Sequence, residues 1–142
     1  MAISARNVFA GTVSEIREGA VNAEVSLSVT GGDVIVATVT LDSLKNLGLA
    51  VGKAATAFVK APAIMIVTGD DSVRYSARNH LKGLVSELKT GAVNSEVVVK
   101  LAGGSEVKAI ITNDAVTDLG LAVGSTASVL FKAGSVILGV TA

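Results

Sequence analysis

Four polar side chains recur at one spacing in the two halves of the sequence, and their chemistry suits a small anion. They are Ser4, Arg6, Thr40 and Lys60 in the first half and Ser76, Arg78, Thr112 and Lys132 in the second. A guanidinium and an ammonium group can together balance a dianion through charge-assisted hydrogen bonds, which are the strong kind. Serine and threonine hydroxyls donate further hydrogen bonds without adding charge. This set could surround a tetrahedral oxyanion from several directions.

A structural interpretation of the same residues stays open. Thr40 and Thr112 each precede a predicted short helix, where a threonine side chain commonly caps free backbone N–H groups. The same N–H groups also favour an anion. Surface arginines and lysines often do no more than form ion pairs. Spacing alone therefore does not separate an oxyanion site from a set of caps and ion pairs.

A second candidate is a Gly-Ala-Val-Asn segment that also occurs twice. It comprises Gly19, Ala20, Val21 and Asn22 in the first copy and Gly91, Ala92, Val93 and Asn94 in the second. A turn that contains glycine can direct successive backbone N–H groups into a concave anion nest, and asparagine adds an amide donor. An Asx-type turn next to a strand is the structural alternative, and the local sequence favours it.

These motifs belong to a tandem duplication with an offset of 72 positions, which needs no gap between residues 3 and 68. Ser-Ala-Arg-Asn occurs at 4–7 and 76–79, and Leu-Gly-Leu-Ala-Val-Gly at 47–52 and 119–124. We therefore predict two domains, 1–68 and 75–142, joined by a linker at 69–74. A unit of about 70 residues has a marginal core of its own, yet half of all residues are apolar. A homo-oligomer that covers the excess apolar surface is expected.

Hydrophobic patterning predicts five or six short strands and one short helix per repeat. In the first repeat, strands are expected at 3–9, 12–17, 23–29, 34–39, 54–60 and 63–67, with Gly11 separating the first two. The paired Gly31 and Gly32 indicate a hairpin, and the helix is expected to follow Thr40 and to stop at Gly48. Small units of this kind usually close into a barrel, which removes exposed edges. The predicted fold is all-β, with two tandem OB-like barrels.

Composition argues against several classes of function. Twelve basic and twelve acidic residues balance, and cysteine is absent, so neither a general nucleic-acid surface nor a thiol site is expected. The sequence shows no secretory signal and no apolar run long enough for a bilayer, which predicts a soluble, cytoplasmic protein without a membrane partner. The single histidine, His80, lacks the companions of a catalytic triad, so no enzyme is predicted. Glu15, Glu24 and their copies Glu87 and Glu96 are a weak signal for a metal cation and are more often solvated strand residues or ion-pair partners.

The motifs quoted above resemble those of the molybdate-binding Mop domain, which is TOBE-like, and their tandem arrangement resembles the cytoplasmic two-domain molbindins of the ModG type. The resemblance implies a homotrimer that holds molybdate or tungstate at subunit interfaces for molybdenum storage and homeostasis, without a cofactor. It adds Ser43, Ala61 and Ala133 to the oxyanion-binding residues, and the counterpart of Ser43 is Ala115. It also implies a second kind of site at the Gly-Ala-Val-Asn turns. A sensing module that acts through a partner protein, and an OB-type single-strand nucleic-acid binder, remain as alternatives.

Overall fold

The structure, a computed structural model, describes residues 1–69 and 72–141. In the first repeat the strands are β1 (Asn7–Glu18), β2 (Asn22–Val29), β3 (Val34–Thr40), β4 (Ala54–Val59) and β5 (Met65–Val67), with helix α1 at Leu41–Asn46. In the second repeat they are β6 (Asn79–Thr90), β7 (Asn94–Leu101), β8 (Glu106–Thr112), β9 (Thr126–Phe131) and β10 (Ile137–Gly139), with helix α2 at Asn113–Leu119. A 3-10 turn precedes each last strand, at Ala61–Ala63 and Ala133–Ser135. Part of the predicted linker lies outside the described residues.

The described strands form two curled five-stranded antiparallel sheets, each accompanied by one short helix. Their orders are β10-β4-β1-β2-β3 and β5-β9-β6-β7-β8. This arrangement confirms the prediction of two OB-like units. Each sheet nevertheless takes one edge strand from the other repeat, because β10 pairs with β4 and β5 pairs with β9. Buried apolar side chains from both repeats form one continuous cluster, so neither sheet is completed by its own repeat alone.

The long first strand of each repeat differs from the prediction of two strands separated by Gly11. Gly11 lies inside β1, opposite Val29 of β2. A Cβ at Gly11 would lie 2.3 Å from the carbonyl oxygen of Ser28, so this glycine permits a close approach between strands and does not end one. The register of β1 against β2 also shifts between Val13 and Glu15, as a bulge that bends a strand would produce. The segment before Asn7, predicted to be extended, is not part of the sheet.

Local capping explains the helices. Thr40 is the N-cap of α1, and its Oγ1 accepts a hydrogen bond from the backbone N–H of Ser43 at 3.1 Å. Thr112 does the same for the N–H of Ala115 at 3.1 Å. Gly48 and Gly120 have φ values of 62° and 63°, the left-handed conformation that commonly ends a helix. No helix of the described residues is long and apolar enough to cross a membrane.

Two buried asparagine side chains join the repeats. Asn7 Nδ2 donates to the carbonyl of Lys108 at 2.8 Å, and its Oδ1 accepts from the N–H of Lys108 at 2.7 Å. Asn79 forms the same pair of bonds with Val36, both at 2.8 Å. Lys108 and Val36 lie in β8 and β3, the outer strands of the two sheets. Each amide therefore satisfies backbone groups on an open sheet edge, which would otherwise lack partners.

Replacing Asn7 with alanine is expected to lower the free energy of unfolding by about 2–4 kcal/mol, because two hydrogen bonds are lost and the backbone groups of Lys108 lose their partners. Urea unfolding followed by circular dichroism measures this change. Asn46→Ala, at an exposed position, is the matched control and should stay within about 0.5 kcal/mol of the wild type. Equal stability of the two variants would contradict a tethering role for Asn7.

The hairpin at Gly31 and Gly32 allows a steric clash to be separated from backbone strain. Both residues have positive φ, 91° and 96°, but a Cβ on Gly31 would lie 1.8 Å from the carbonyl oxygen of Gly103, whereas one on Gly32 meets nothing within 4 Å. Gly32→Ala should cost about 1–2 kcal/mol in unfolding free energy, from strain alone. Gly31→Ala should cost clearly more, since it also separates the two hairpins. Similar costs in thermal or urea unfolding would show that the hairpins do not depend on this contact.

Candidate functional site

The arginine of each Ser-Ala-Arg-Asn motif faces the opposite repeat. Arg6 Nη1 lies 2.9 Å from Glu96 Oε2, and Arg78 Nη2 lies 2.8 Å from Glu24 Oε1. Both arginine side chains remain about half exposed, at 57% and 52%, whereas Glu96 is only 11% exposed. The interpretation of Glu24 and Glu96 as ion-pair partners is therefore confirmed. Each guanidinium still has a solvent-facing side that could receive an anion.

Each arginine lies in an open depression that it shares with the Gly-Ala-Val-Asn turn of the opposite repeat. The Arg6 pocket, of about 470 Å³, is lined by Arg6, Lys89, Thr90, Gly91, Asn94, Ser95, Glu96 and Ile110. The Arg78 pocket, of about 360 Å³, is lined by the positions equivalent by the repeat offset, which are Arg78, Arg17, Glu18, Gly19, Asn22, Ala23, Glu24 and Thr38. The arginine of the first predicted group thus lies beside the glycine and the asparagine of the second group, whereas the predicted serine, threonine and lysine do not line these pockets.

Strand register brings the capping threonines close to these pockets. Asn22 is directly opposite Thr40 in the β2–β3 pair, and Asn94 is directly opposite Thr112 in the β7–β8 pair. Thr40 also donates a hydrogen bond from its Oγ1 to Ser43 Oγ at 3.0 Å. In the second repeat the equivalent residue, Ala115, has no hydroxyl. We call the end of β3 at Thr40 and the end of β8 at Thr112, each with the first turn of the following helix, the threonine corners. The threonine corner and the asparagine turn of one repeat therefore adjoin the arginine of the other.

Lys60 and Lys132 each precede a turn that packs on the opposite repeat. Lys60 and Lys132 are exposed and come immediately before the 3-10 turns, whose first residues, Ala61 and Ala133, are buried. The turn that follows Lys60 packs against β8, which ends at Thr112, and the turn that follows Lys132 packs against β3, which ends at Thr40. Lys60 thus adjoins a turn that packs on the strand ending at Thr112, and Lys132 adjoins one that packs on the strand ending at Thr40, but neither lysine lines the two pockets.

Some candidate residues are less closely placed. Ser4 and Ser76 are exposed in the irregular segments before β1 and β6, and the valines and alanines of the Gly-Ala-Val-Asn turns point apolar groups to solvent. His80 lies away from both pockets, with its ring edge against Tyr75 at a centroid distance of 5.6 Å. Among the described residues, no group of three or more histidine and acidic side chains could hold a metal cation.

Two pairs of residues were not identified from the sequence: the cations Arg17 and Lys89 and the asparagines Asn7 and Asn79. Arg17 and Lys89 line the pockets and pair with Glu15 at 3.0 Å and Glu87 at 3.4 Å. The hydrogen bond from Arg17 to Glu15 raises the pKa of Arg17 above its ordinary value, so this guanidinium stays charged. The recurrence of a cation at positions 17 and 89 was a usable signal in the sequence for a role at the pockets. The sequence carried no such signal for the role of Asn7 and Asn79, since their hydrogen-bond partners are separated from them by 101 and 43 positions.

The fold and the site define a class of protein: two small β-barrel domains that exchange their last strands, with two pockets between them that each contain an arginine. The TOBE domain family matches residues 3–66 and 75–138. The chain therefore belongs to the TOBE domain family, and it contains two such domains. The resemblance to the two-domain molbindins that the motifs indicated is confirmed by this match and by the relatives described next.

The chain is similar to proteins connected with molybdenum. A crystal structure of the cytoplasmic molybdate-binding protein ModG with molybdate bound is 52% identical, with a TM-score of 0.94 over 99% of this chain and all of that chain. The molybdenum transport protein ModE of Herbaspirillum seropedicae is 44% identical over 140 residues, which are 99% of this chain and 52% of ModE. A probable molybdenum-pterin-binding protein of Haemophilus influenzae is 47% identical over 66 residues, 46% of this chain and 96% of that protein. The curated relatives that match nearly all of this chain are about twice as long, so the chain spans about half the length of each.

Proposed function

We propose that this protein binds molybdate and tungstate, at composite sites built from both repeats, for intracellular molybdenum storage and homeostasis. The observation that carries the proposal is the Arg6 pocket. There the half-exposed guanidinium of Arg6 from the first repeat shares one open space with Lys89 and the Gly91–Asn94 turn of the second repeat. The molybdate-bound ModG, similar over the whole chain, supports the choice of oxyanion. The function is reversible binding, without catalysis.

Recurring exposed apolar residues support assembly into an oligomer, which we propose is a homotrimer with the oxyanion at subunit interfaces. Three pairs of large apolar side chains at equivalent positions are 51–73% exposed: Val21 and Val93, Val51 and Val123, and Met65 and Ile137. Exposed apolar groups repeated in this way are typical of a surface that a further subunit covers. Val21 and Val93 belong to the same turns that line the pockets, so an interface there would enclose the anion and remove it from water.

Calorimetric titration with molybdate, tungstate, sulfate and phosphate tests the proposed ligand. Molybdate and tungstate should bind more tightly than sulfate, because the charge is the same and the size of the pocket and its number of donors then decide selectivity. A single-stranded oligonucleotide serves as a further ligand, and salt-dependent binding to it would favour the nucleic-acid alternative. Equal binding of all four anions, or none, would overturn the proposal.

Arg6→Ala should weaken molybdate binding at the Arg6 pocket roughly 10- to 100-fold, because a charge-assisted hydrogen bond is lost there. The single change also leaves the Glu96 carboxylate without its cation, so the double variant Arg6→Ala/Glu96→Gln separates loss of a ligand from an unpaired charge. Arg74→Ala, an exposed arginine outside both pockets, is the matched control. If Arg6→Ala lowers stability and the double variant restores both stability and binding, Arg6 is a structural ion-pair partner only.

The hydroxyl at Ser43 distinguishes the two threonine corners, and a reciprocal exchange tests whether it is a ligand. Ser43→Ala should weaken binding at one corner by about 0.5–1.5 kcal/mol, the usual net value of one hydrogen bond. Ala115→Ser should strengthen binding at the other corner by a similar amount. Calorimetry of the two variants and their combination measures the changes. If neither substitution alters affinity, the hydroxyl serves only the Thr40 cap.

A sensing module is a second candidate, and the similarity to about half of ModE, which in Yersinia pestis is named a transcriptional regulator, favours it. In that case the chain would act through a partner protein, and molybdate would change the affinity for that partner. Affinity capture from extracts with and without molybdate distinguishes this function from storage, because a storage protein should recover the same partners in both conditions.

A further inference from the structure

We infer that the two composite pockets are unequal, and that an oxyanion occupies the Arg6 pocket before the Arg78 pocket. The inference rests on the proposed function and assigns an order of occupancy to its sites. Three differences between equivalent positions support it: the net charge of the pocket lining, the hydrogen bonding of the arginine to its glutamate, and the side-chain hydrogen bonds that hold the turn. One difference opposes it, because the Ser43 hydroxyl adjoins the Arg78 pocket and its counterpart near the Arg6 pocket is Ala115, and we infer that the three together outweigh this one hydroxyl.

The first difference is charge. The Arg6 pocket contains two cations, Arg6 and Lys89, and one carboxylate, Glu96, which gives a net charge of +1. The Arg78 pocket contains two cations and two carboxylates, Glu24 and Glu18, which gives a net charge of zero. The additional carboxylate arises because Glu18 stands where the other repeat has Thr90. A dianion is repelled by this carboxylate, whereas the threonine hydroxyl can donate a hydrogen bond to it.

The second difference is the engagement of each arginine with its glutamate. Arg78 Nη2 donates a well-aligned hydrogen bond to Glu24 Oε1 at 2.8 Å. Arg6 approaches Glu96 Oε2 to 2.9 Å, but the contact lacks hydrogen-bond alignment, and this buried oxygen has no other hydrogen-bond partner among the described residues. The donors of Arg6 are therefore less committed to a carboxylate, and an incoming anion has less to displace.

The third difference is the rigidity of the turn. Asn113 Nδ2 donates to the carbonyl of Gly91 at 2.9 Å, and Asn113 Oδ1 accepts a hydrogen bond from the hydroxyl of Ser95 at 2.5 Å. The equivalent positions, Leu41 and Ala23, have no side-chain hydrogen-bonding groups. The turn at Gly91–Asn94 is thus held by a side-chain amide, and a pre-organised turn loses less conformational entropy when it binds a ligand.

The test isolates each pocket and then exchanges the residue that sets its charge. Arg78→Ala leaves the Arg6 pocket as the intact one, and Arg6→Ala leaves the Arg78 pocket. Molybdate affinity is measured by calorimetry for each chain at low salt. Thr90→Glu is then added to the first and Glu18→Thr to the second. Glu106→Thr, an exposed change of the same type outside both pockets, is the control for a general change in net charge.

The chain with the intact Arg6 pocket is expected to bind molybdate more tightly than the chain with the intact Arg78 pocket. Thr90→Glu should weaken its binding roughly three- to tenfold, and Glu18→Thr should strengthen binding in the other chain by a similar factor. Both effects should shrink at high salt, because the pockets are open to solvent. Glu106→Thr should change neither affinity.

Equal affinities of the two single-pocket chains, tighter binding by the Arg78 pocket, or no response to either exchange would overturn the inferred order while leaving molybdate binding intact. Failure of the wild-type protein to bind molybdate at all is a different result, since it overturns the proposed function and the order together. The two failures are therefore separated within one set of titrations.

Discussion

The contact between the two repeats depends on two side-chain amides that form the hydrogen bonds a neighbouring strand would otherwise form. Asn7 and Asn79 each complete an open sheet edge in the opposite repeat, with one donor and one acceptor matched to the N–H and C=O of a single residue. Buried backbone groups at such an edge are costly to leave unpaired. Because Arg6 immediately precedes Asn7, and Arg78 immediately precedes Asn79, the same anchors fix where the two guanidinium groups emerge. The hydrogen bonds that stabilise the contact between the repeats therefore also determine where the two arginines lie.

A carboxylate beside each arginine sets the electrostatic character of the pockets. An isolated guanidinium on a surface attracts any anion, whereas one that is already balanced by Glu24 or Glu96 responds only to an anion that offers better contacts than the glutamate. The glutamates are shielded from solvent more than the arginines are, so the positive groups face outward. Such competition favours specificity over raw affinity, since a ligand gains only the difference between its own contacts and those it replaces.

Local patterns were sufficient to predict the elements but not their partners. Alternation in β2, the paired glycines of the hairpin and the Thr40 cap each depend on neighbours a few positions apart, and the sequence displays them directly. Gly11 was misjudged because glycine marks both turns and close strand contacts, and only the position of Ser28 in space separates the two. Strand β10 has three residues, too few for a pattern to indicate which sheet it joins.

The site shows the same division. The chemistry of arginine, lysine and threonine could be recognised from residue type and repetition, but their grouping could not, because each pocket combines residues from both repeats. A pattern that repeats at a fixed offset suggests that each copy is complete, whereas the structure combines the arginine of one copy with the turn of the other. Small departures from the repeat, such as Thr90 against Glu18, were visible in the sequence and acquired meaning only when the pockets were known.

The exchange of the last strands bears on how such a chain could diversify. A half-length relative, such as the one from Haemophilus influenzae, has a single repeat, so an exchange of this kind could occur there only between separate chains. Identical chains related by a twofold axis must present identical pockets, and their pairing depends on concentration. Fusion of two repeats makes the exchange intramolecular, at an effective concentration set by the linker. It also removes the requirement for symmetry, so that a mutation in one pocket no longer appears in both.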